Sequence, residues 1–155
     1  MPSLRSVVLA CVLLAVPAAL HAQREKLPPD DYDFVTKTWP DALKSNTGIR
    51  YIIETPGFGS LVASGDMVSV NYTGKFLNGK VFDQHHDTVH PFSFRVNRGM
   101  VIEGWDQILQ LMKPGSKWLV IVPPELAYGR KGSPPRIPPD TTLVFEMEVV
   151  GVKRS

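Results

Sequence analysis

From Thr47 onward, apolar residues recur at every second position in short runs, and turn signals cut each run off. GIRYIIE (48–54) precedes the turn sequence TPGFG, and MVSVNYT (67–73) sets Val68, Val70 and Tyr72 on one face. PFSFRV (91–96) groups Phe92, Phe94 and Val96 in the same way. LVFEMEV (143–149) points Leu143, Phe145, Met147 and Val149 to one side. Two is the side-chain period of an extended chain, so each run predicts a half-buried strand. KWLVIV (117–122) is apolar almost throughout, which predicts a central strand covered on both faces. Asn78-Gly79, between FL and KVF, predicts a tight hairpin turn, because both residues tolerate positive φ.

One segment breaks this rhythm. In VIEGWDQILQLM, Trp105, Ile108, Leu109 and Met112 fall at i, i+3, i+4 and i+7, the single apolar stripe of an amphipathic helix. Lys113-Pro114-Gly115 closes it, since proline cannot continue the helical bonding and glycine permits the turn. Several antiparallel strands with one amphipathic helix predict an α+β domain whose helix packs across one face of the sheet.

Size limits the count of domains to one. A chain of 155 residues, 43% of them hydrophobic, supports one sizeable core. The net charge is +2 and the basic residues are scattered, so neither a nucleic-acid stripe nor a membrane-binding patch is expected. No internal repeat and no long amphipathic stalk is visible, so a monomer is the expectation.

The first 22 residues predict a secretory signal peptide. Arg5 supplies the positive start, Val7 to Leu20 the apolar stretch, and Ala18, Ala19 and Ala22 the small residues for cleavage. An uncleaved N-terminal anchor is the rival reading. Cys11 sits in VLAC, a loose lipobox, but few apolar residues precede it and a longer run follows, the reverse of what lipidation requires. Once Cys11 leaves with the signal, no cysteine remains and packing alone must hold the fold. An exported protein with no membrane attachment after cleavage is expected, with the bacterial periplasm first and secretion second. Residues 23–46 predict an extended leader, because QREKLPPDDYD is polar, contains prolines and lacks core formers. Thr38-Trp39-Pro40-Asp41 suits one short helical turn there. The folded domain is then 47–155.

His85, His86 and His90 lie close together, and histidine is the commonest transition-metal ligand. With no cysteine and no helical spacing beside them, a solvated loop is expected, with no metal and no cofactor. Asn71-Tyr72-Thr73 matches an N-glycosylation pattern but falls inside a predicted strand.

The run YTG–GKVFD–PFSF–VIEGW–AYG–PP-x-TLVFE closely resembles the FKBP family of peptidyl-prolyl cis–trans isomerases, the macrolide-binding immunophilins. The resemblance covers about residues 47–152, and its strength lies in six weak motifs in the right order and spacing. It implies a five- or six-stranded antiparallel half-barrel wrapped around the short helix, with an active pocket between them. It implies that Tyr72, Asp83, Trp105 and Tyr128 carry catalysis, and that Phe82, Phe92, Val101, Ile102, Ile137 and Phe145 contact substrate. Trp105 would form the floor under the substrate's pyrrolidine ring, Asp83 would bond Tyr72, and the Tyr128 hydroxyl would reach the carbonyl before the proline. By spacing alone, Trp105 suits a core stripe as well as a cavity floor, and Asp83 suits a turn. The partners implied are proline-containing polypeptides during folding, with macrolides such as tacrolimus or rapamycin as inhibitors. A non-catalytic chaperone or ligand-binding module is the alternative, and a closed structural β-domain a third.

This chain departs from the family's pattern at two places. The best-known members carry an arginine in the loop after the FD pair, where this chain has Thr88. Arg136 stands where an apolar residue is common, just before Ile137.

Overall fold

The computed structural model describes residues 24–155; the predicted signal segment lies outside the described residues. Ten elements follow in order: α1 (Pro29–Thr38), β1 (Leu43–Lys44), β2 (Arg50–Thr55), β3 (Met67–Phe76), β4 (Val81–His85), β5 (Phe92–Arg95), α2 (Glu103–Leu109), β6 (Lys117–Val122), a 3-10 turn (Pro124–Leu126) and β7 (Leu143–Lys153). All seven strands join one antiparallel sheet in the order β1-β2-β6-β7-β3-β4, with β5 also on β3. β4 pairs with Tyr72–Lys75 and β5 with Met67–Val70, so two short strands share successive halves of one edge of β3. This is the α+β architecture expected from the alternation, with a two-residue β1 as an added edge.

The faces follow the two-residue period. Val68, Val70, Val120, Val122, Leu143, Phe145, Met147 and Val149 form one continuous buried core with Trp105, Ile108 and Leu109 of α2. The intervening residues Ile121 and Val144, which pair across β6 and β7, point to the other side of the sheet. At the Asn78-Gly79 turn, Gly79 adopts φ +85°, a conformation that excludes most side chains. Its N–H bonds the Phe76 carbonyl at 2.9 Å and closes the β3–β4 hairpin.

Two elements differ from expectation. α2 stops at Leu109, and the next residues tighten into turns in which Met112 N–H bonds the Leu109 carbonyl at 3.0 Å. Met112 still reaches the core and is fully buried. The larger correction concerns the leader, which is not extended throughout. Pro29–Thr38 forms a ten-residue helix ahead of the short turn expected at Thr38–Asp41.

The helix begins at Pro29, where a missing N–H costs nothing. Asp30 and Asp31 complement the positive N-terminal end of the helix, and Lys37 the negative end. Pro40 disfavours helical backbone at Trp39, so α1 ends there.

α1 lies on the face of the sheet opposite α2. Its Val35, 1% exposed, packs with Leu27, Ile121 and Val144 in a second small core. Polar contacts fasten the same segment: the Thr142 hydroxyl donates to Asp31 Oδ2 at 2.6 Å, Arg50 pairs with Glu25 at 2.8 Å, and Lys26 with Glu125 at 3.2 Å. No helix among the described residues is long and apolar enough to cross a membrane.

Candidate functional site

The α2 side of the sheet is not filled completely. A cavity of about 300 Å³ opens where the start of α2 faces β3, β4, β5 and β7, lined by Tyr72, Phe82, Asp83, Phe92, Met100, Val101, Ile102, Trp105, Tyr128 and Phe145. The aromatic rings stand edge to face. Trp105 meets Tyr72 at 4.8 Å between centroids and Phe145 at 5.2 Å, both with planes 82° apart. The ring quadrupole favours this arrangement over a face-to-face sandwich, and the upright rings form the walls and floor of the cavity. Trp105 is 4% exposed and lies at the centre of this ring set.

A glycine sets the distance between two of the walls. A Cβ on Gly74 would lie 2.6 Å from the Phe82 ring and 3.1 Å from the Phe145 ring, so only glycine lets both rings approach β3. The rim before α2 is held by a buried carboxylate. Asp106 accepts the Asn97 N–H at 2.7 Å and the Gly99 N–H at 3.0 Å, which fixes the loop that presents Met100, Val101 and Ile102.

Few polar atoms face the cavity. The Tyr72 hydroxyl donates to Asp83 Oδ2 at 2.8 Å, and Asp83 Oδ1 accepts the Gln84 N–H at 3.0 Å. Burial, then the bond to Asp83, pushes the Tyr72 phenol far above its ordinary value, so it stays protonated as a donor. Burial and the nearby Asp83 charge likewise raise Tyr128, whose hydroxyl bonds no other described residue. The Trp105 indole N–H has no hydrogen-bond acceptor, but Trp118 shares that condition elsewhere in the core, so this feature does not by itself mark the site.

Nine of the ten residues that the resemblance places in the pocket line this one cavity. Ile137 does not. It is 2% exposed and borders an adjoining hollow of about 270 Å³ with Phe82, Asp83, Tyr128 and Arg136. Sequence reading missed two contributors, Met100 on the rim and Asp106 behind it, and it marked Arg136 as a departure without foreseeing that its Nη1 lies 3.8 Å from Asp83 Oδ1. A charge directly after Trp105 on the buried side of a helix was the available signal for Asp106.

The loop histidines are engaged separately. His85 Nε2 bonds the His90 carbonyl at 2.8 Å, His86 Nε2 bonds the Thr73 hydroxyl at 2.7 Å, and His90 faces Asp87 at 3.4 Å. Among the described residues, no group of three such side chains is placed to hold a metal ion. Asn71, the first residue of the glycosylation pattern, is 7% exposed inside β3. A wider hollow of about 1100 Å³ lies between residues 24–33 and the segment after β6, but charged groups on its walls pair with protein partners, as in Lys26–Glu125 and Glu25–Arg50.

Comparison with known proteins bears on the same region. The family model described as "FKBP-type peptidyl-prolyl cis-trans isomerase" matches residues 59–150. A probable FKBP-type peptidyl-prolyl cis-trans isomerase of Haemophilus influenzae is 43% identical over 72% of this chain and 46% of its own length. FK506-binding protein 2 of Dictyostelium discoideum is 34% identical over 93% of this chain and 97% of its own. The crystal structure of a peptidyl-prolyl cis-trans isomerase from Pseudomonas syringae superposes with a TM-score of 0.71 at 35% identity, covering 81% of this chain and 92% of that one. The chain spans about half the length or less of several curated relatives that it matches, 46%, 28% and 50% of three of them. The matched residues 59–150 include every residue that lines the cavity, with β3 to β6 and most of β7, and on that ground this chain belongs to the FKBP-type peptidyl-prolyl cis–trans isomerase family.

Proposed function

We propose that this chain is a peptidyl-prolyl cis–trans isomerase that speeds X–Pro rotation in folding polypeptides. The observation that carries the reading is the Tyr72–Asp83 pair, bonded at 2.8 Å, on the mouth of an aromatic cavity floored by Trp105. Uncatalysed X–Pro isomerisation takes roughly tens to hundreds of seconds, slow enough to limit folding.

The barrier is the loss of amide resonance, about 18–20 kcal/mol. The planar amide separates charge between oxygen and nitrogen, and the twisted form does so less. A cavity walled by Phe82, Phe145 and Trp105 strips water from the bound amide, which raises the planar state relative to the twisted one. Complementarity to the twisted form does the rest. The proline ring lies on Trp105, and the Tyr128 hydroxyl, free of described protein partners, donates to the carbonyl before the proline. The Ile102 N–H, where α2 starts, is a second donor to the peptide. A gain of about 10⁴ in rate needs roughly 5.4 kcal/mol, and these contacts require no acid, base or nucleophile. Tacrolimus or rapamycin would compete for the same cavity.

Export belongs to this proposal. The apolar run Val7–Leu20 with alanines after it supports a cleaved signal, and one relative, 36% identical, is named an outer membrane protein of Legionella longbeachae. Periplasmic location would appear on cell fractionation as a mature chain beginning near Gln23.

The direct test is isomerisation of a short prolyl peptide by the purified protein, with and without rapamycin. Acceleration that rapamycin abolishes is expected. Folded protein without measurable acceleration overturns the isomerase reading, and rapamycin-insensitive activity overturns the assignment to this cavity.

A further inference from the structure

Asp83 needs something on its outer side. Its Oδ2 is turned to the Tyr72 hydroxyl and its Oδ1 takes only the neighbouring Gln84 N–H. The loop that follows β4 offers no cation to it: that loop carries Thr88, His85 and His90 bond within it, and Asp87 faces His90. The positive charge arrives from elsewhere in the chain. Arg136 Nη1 lies 3.8 Å from Asp83 Oδ1 across the hollow between the two segments.

This placement is built into the local fold. Ser133 and Ile137 bridge each other through two backbone bonds of 2.8 and 2.9 Å, which turns the chain back on itself around Arg136. Ile137 is buried and anchors one side of the turn. Gly132 packs so closely on the Ile137 carbonyl and Pro138 that a Cβ there would lie 2.6 Å away. The turn therefore has one course, and Arg136 is the charged side chain it presents to Asp83.

We propose that Arg136 is a positioning residue for the isomerase: acting through Asp83, it holds the carboxylate toward the Tyr72 hydroxyl and so fixes the mouth of the cavity. The inference rests on the isomerase reading. It supplies beside Asp83 a cation that the loop carrying Thr88 lacks. At 3.8 Å the contact is an ion pair and not a hydrogen bond, and Arg136 is 62% exposed. Its effect is correspondingly modest and sensitive to salt. The pair borders the cavity through Asp83 and is exposed to solvent, so its loss is expected in turnover more than in stability.

The test is a double-mutant cycle on the full protein, read as kcat/KM for a prolyl peptide. Arg136→Gln is expected to lose about two- to fivefold, the size of an exposed ion pair, with Tm unchanged, and Arg136→Lys to restore most of the loss. In an Asp83→Asn background, Arg136→Gln is expected to add nothing. Raising the salt should bring the native protein down toward Arg136→Gln while leaving that variant's own activity flat. Equal losses in both backgrounds, or no loss at all in an active protein, overturn this inference alone. An inactive native protein overturns the isomerase reading and this inference with it.

Discussion

The two faces of the sheet are each covered by one helix, and among the described residues the hollow walled by aromatic rings lies on the α2 face. On the α1 face, Val35, Leu27, Ile121 and Val144 meet as compact aliphatic groups and close on one another. On the α2 face, Tyr72, Phe82, Phe92, Trp105 and Phe145 meet as rings set edge to face, and a cavity of about 300 Å³ remains between them. The same sheet thus uses one side for cohesion and the other for a site.

The largest expected break falls on the hollow face. Trp105→Ala removes a buried ring that supports four others, and should cost about 3–5 kcal/mol of stability, measured by denaturant unfolding. Isomerase activity of the remaining folded protein should also collapse. Next comes the closed face. Val35→Ala empties a site 1% exposed and should cost about 1.5–3 kcal/mol, while kcat/KM measured well below the melting temperature stays unchanged. Loss of activity in folded Val35→Ala would break the separation of the two faces.

Tyr72→Phe sharpens the contrast with a smaller change. It keeps the ring against Trp105 and deletes the hydroxyl bonded to Asp83, so stability should fall by only about 0.5–1.5 kcal/mol while turnover falls clearly.

The mildest expectation concerns neither face. Asp66 joins the chain's end to the loop before β3, accepting the Ala63 N–H at 2.9 Å and Arg154 Nη1 at 2.6 Å. The Ala63 N–H first, and then Arg154, hold its carboxyl below the usual range. A carboxylate whose pKa is lowered by folding contributes stability above its unfolded value of about 3.9, and loses it as the pH falls through the folded value. Asp66→Asn should therefore melt below the native protein at neutral pH, and the gap should close as the pH drops below about 4.

How much could be read in advance follows from the range of each signal. Strand faces were legible because period two is local: Val68, Val70 and Tyr72, and again Leu143 to Val149, sort inward wherever the strand pairs. α1 was not legible, since Val35 is its one buried side chain and no apolar stripe runs along it. Docking stabilises such a helix more than its own sequence does, although Pro29, Asp30, Asp31 and Lys37 were usable end signals. Nine of the ten residues named from the sequence meet in one cavity, and Ile137 borders the hollow beside it, a placement that strand period does not give because it does not tell how a loop folds back.

By itself the sequence determined an α+β domain, the inward set of each strand, the helix at Trp105 and the family that these motifs resemble. Those features rest on local periods and on turns that few residues can form. Only the tertiary structure decided that the leader docks through Val35, that Asp106 fixes the cavity rim, and that Arg136 faces Asp83. Each of these joins segments distant in the chain, and a contact of that kind depends on how loops close, which no short-range pattern of residues encodes.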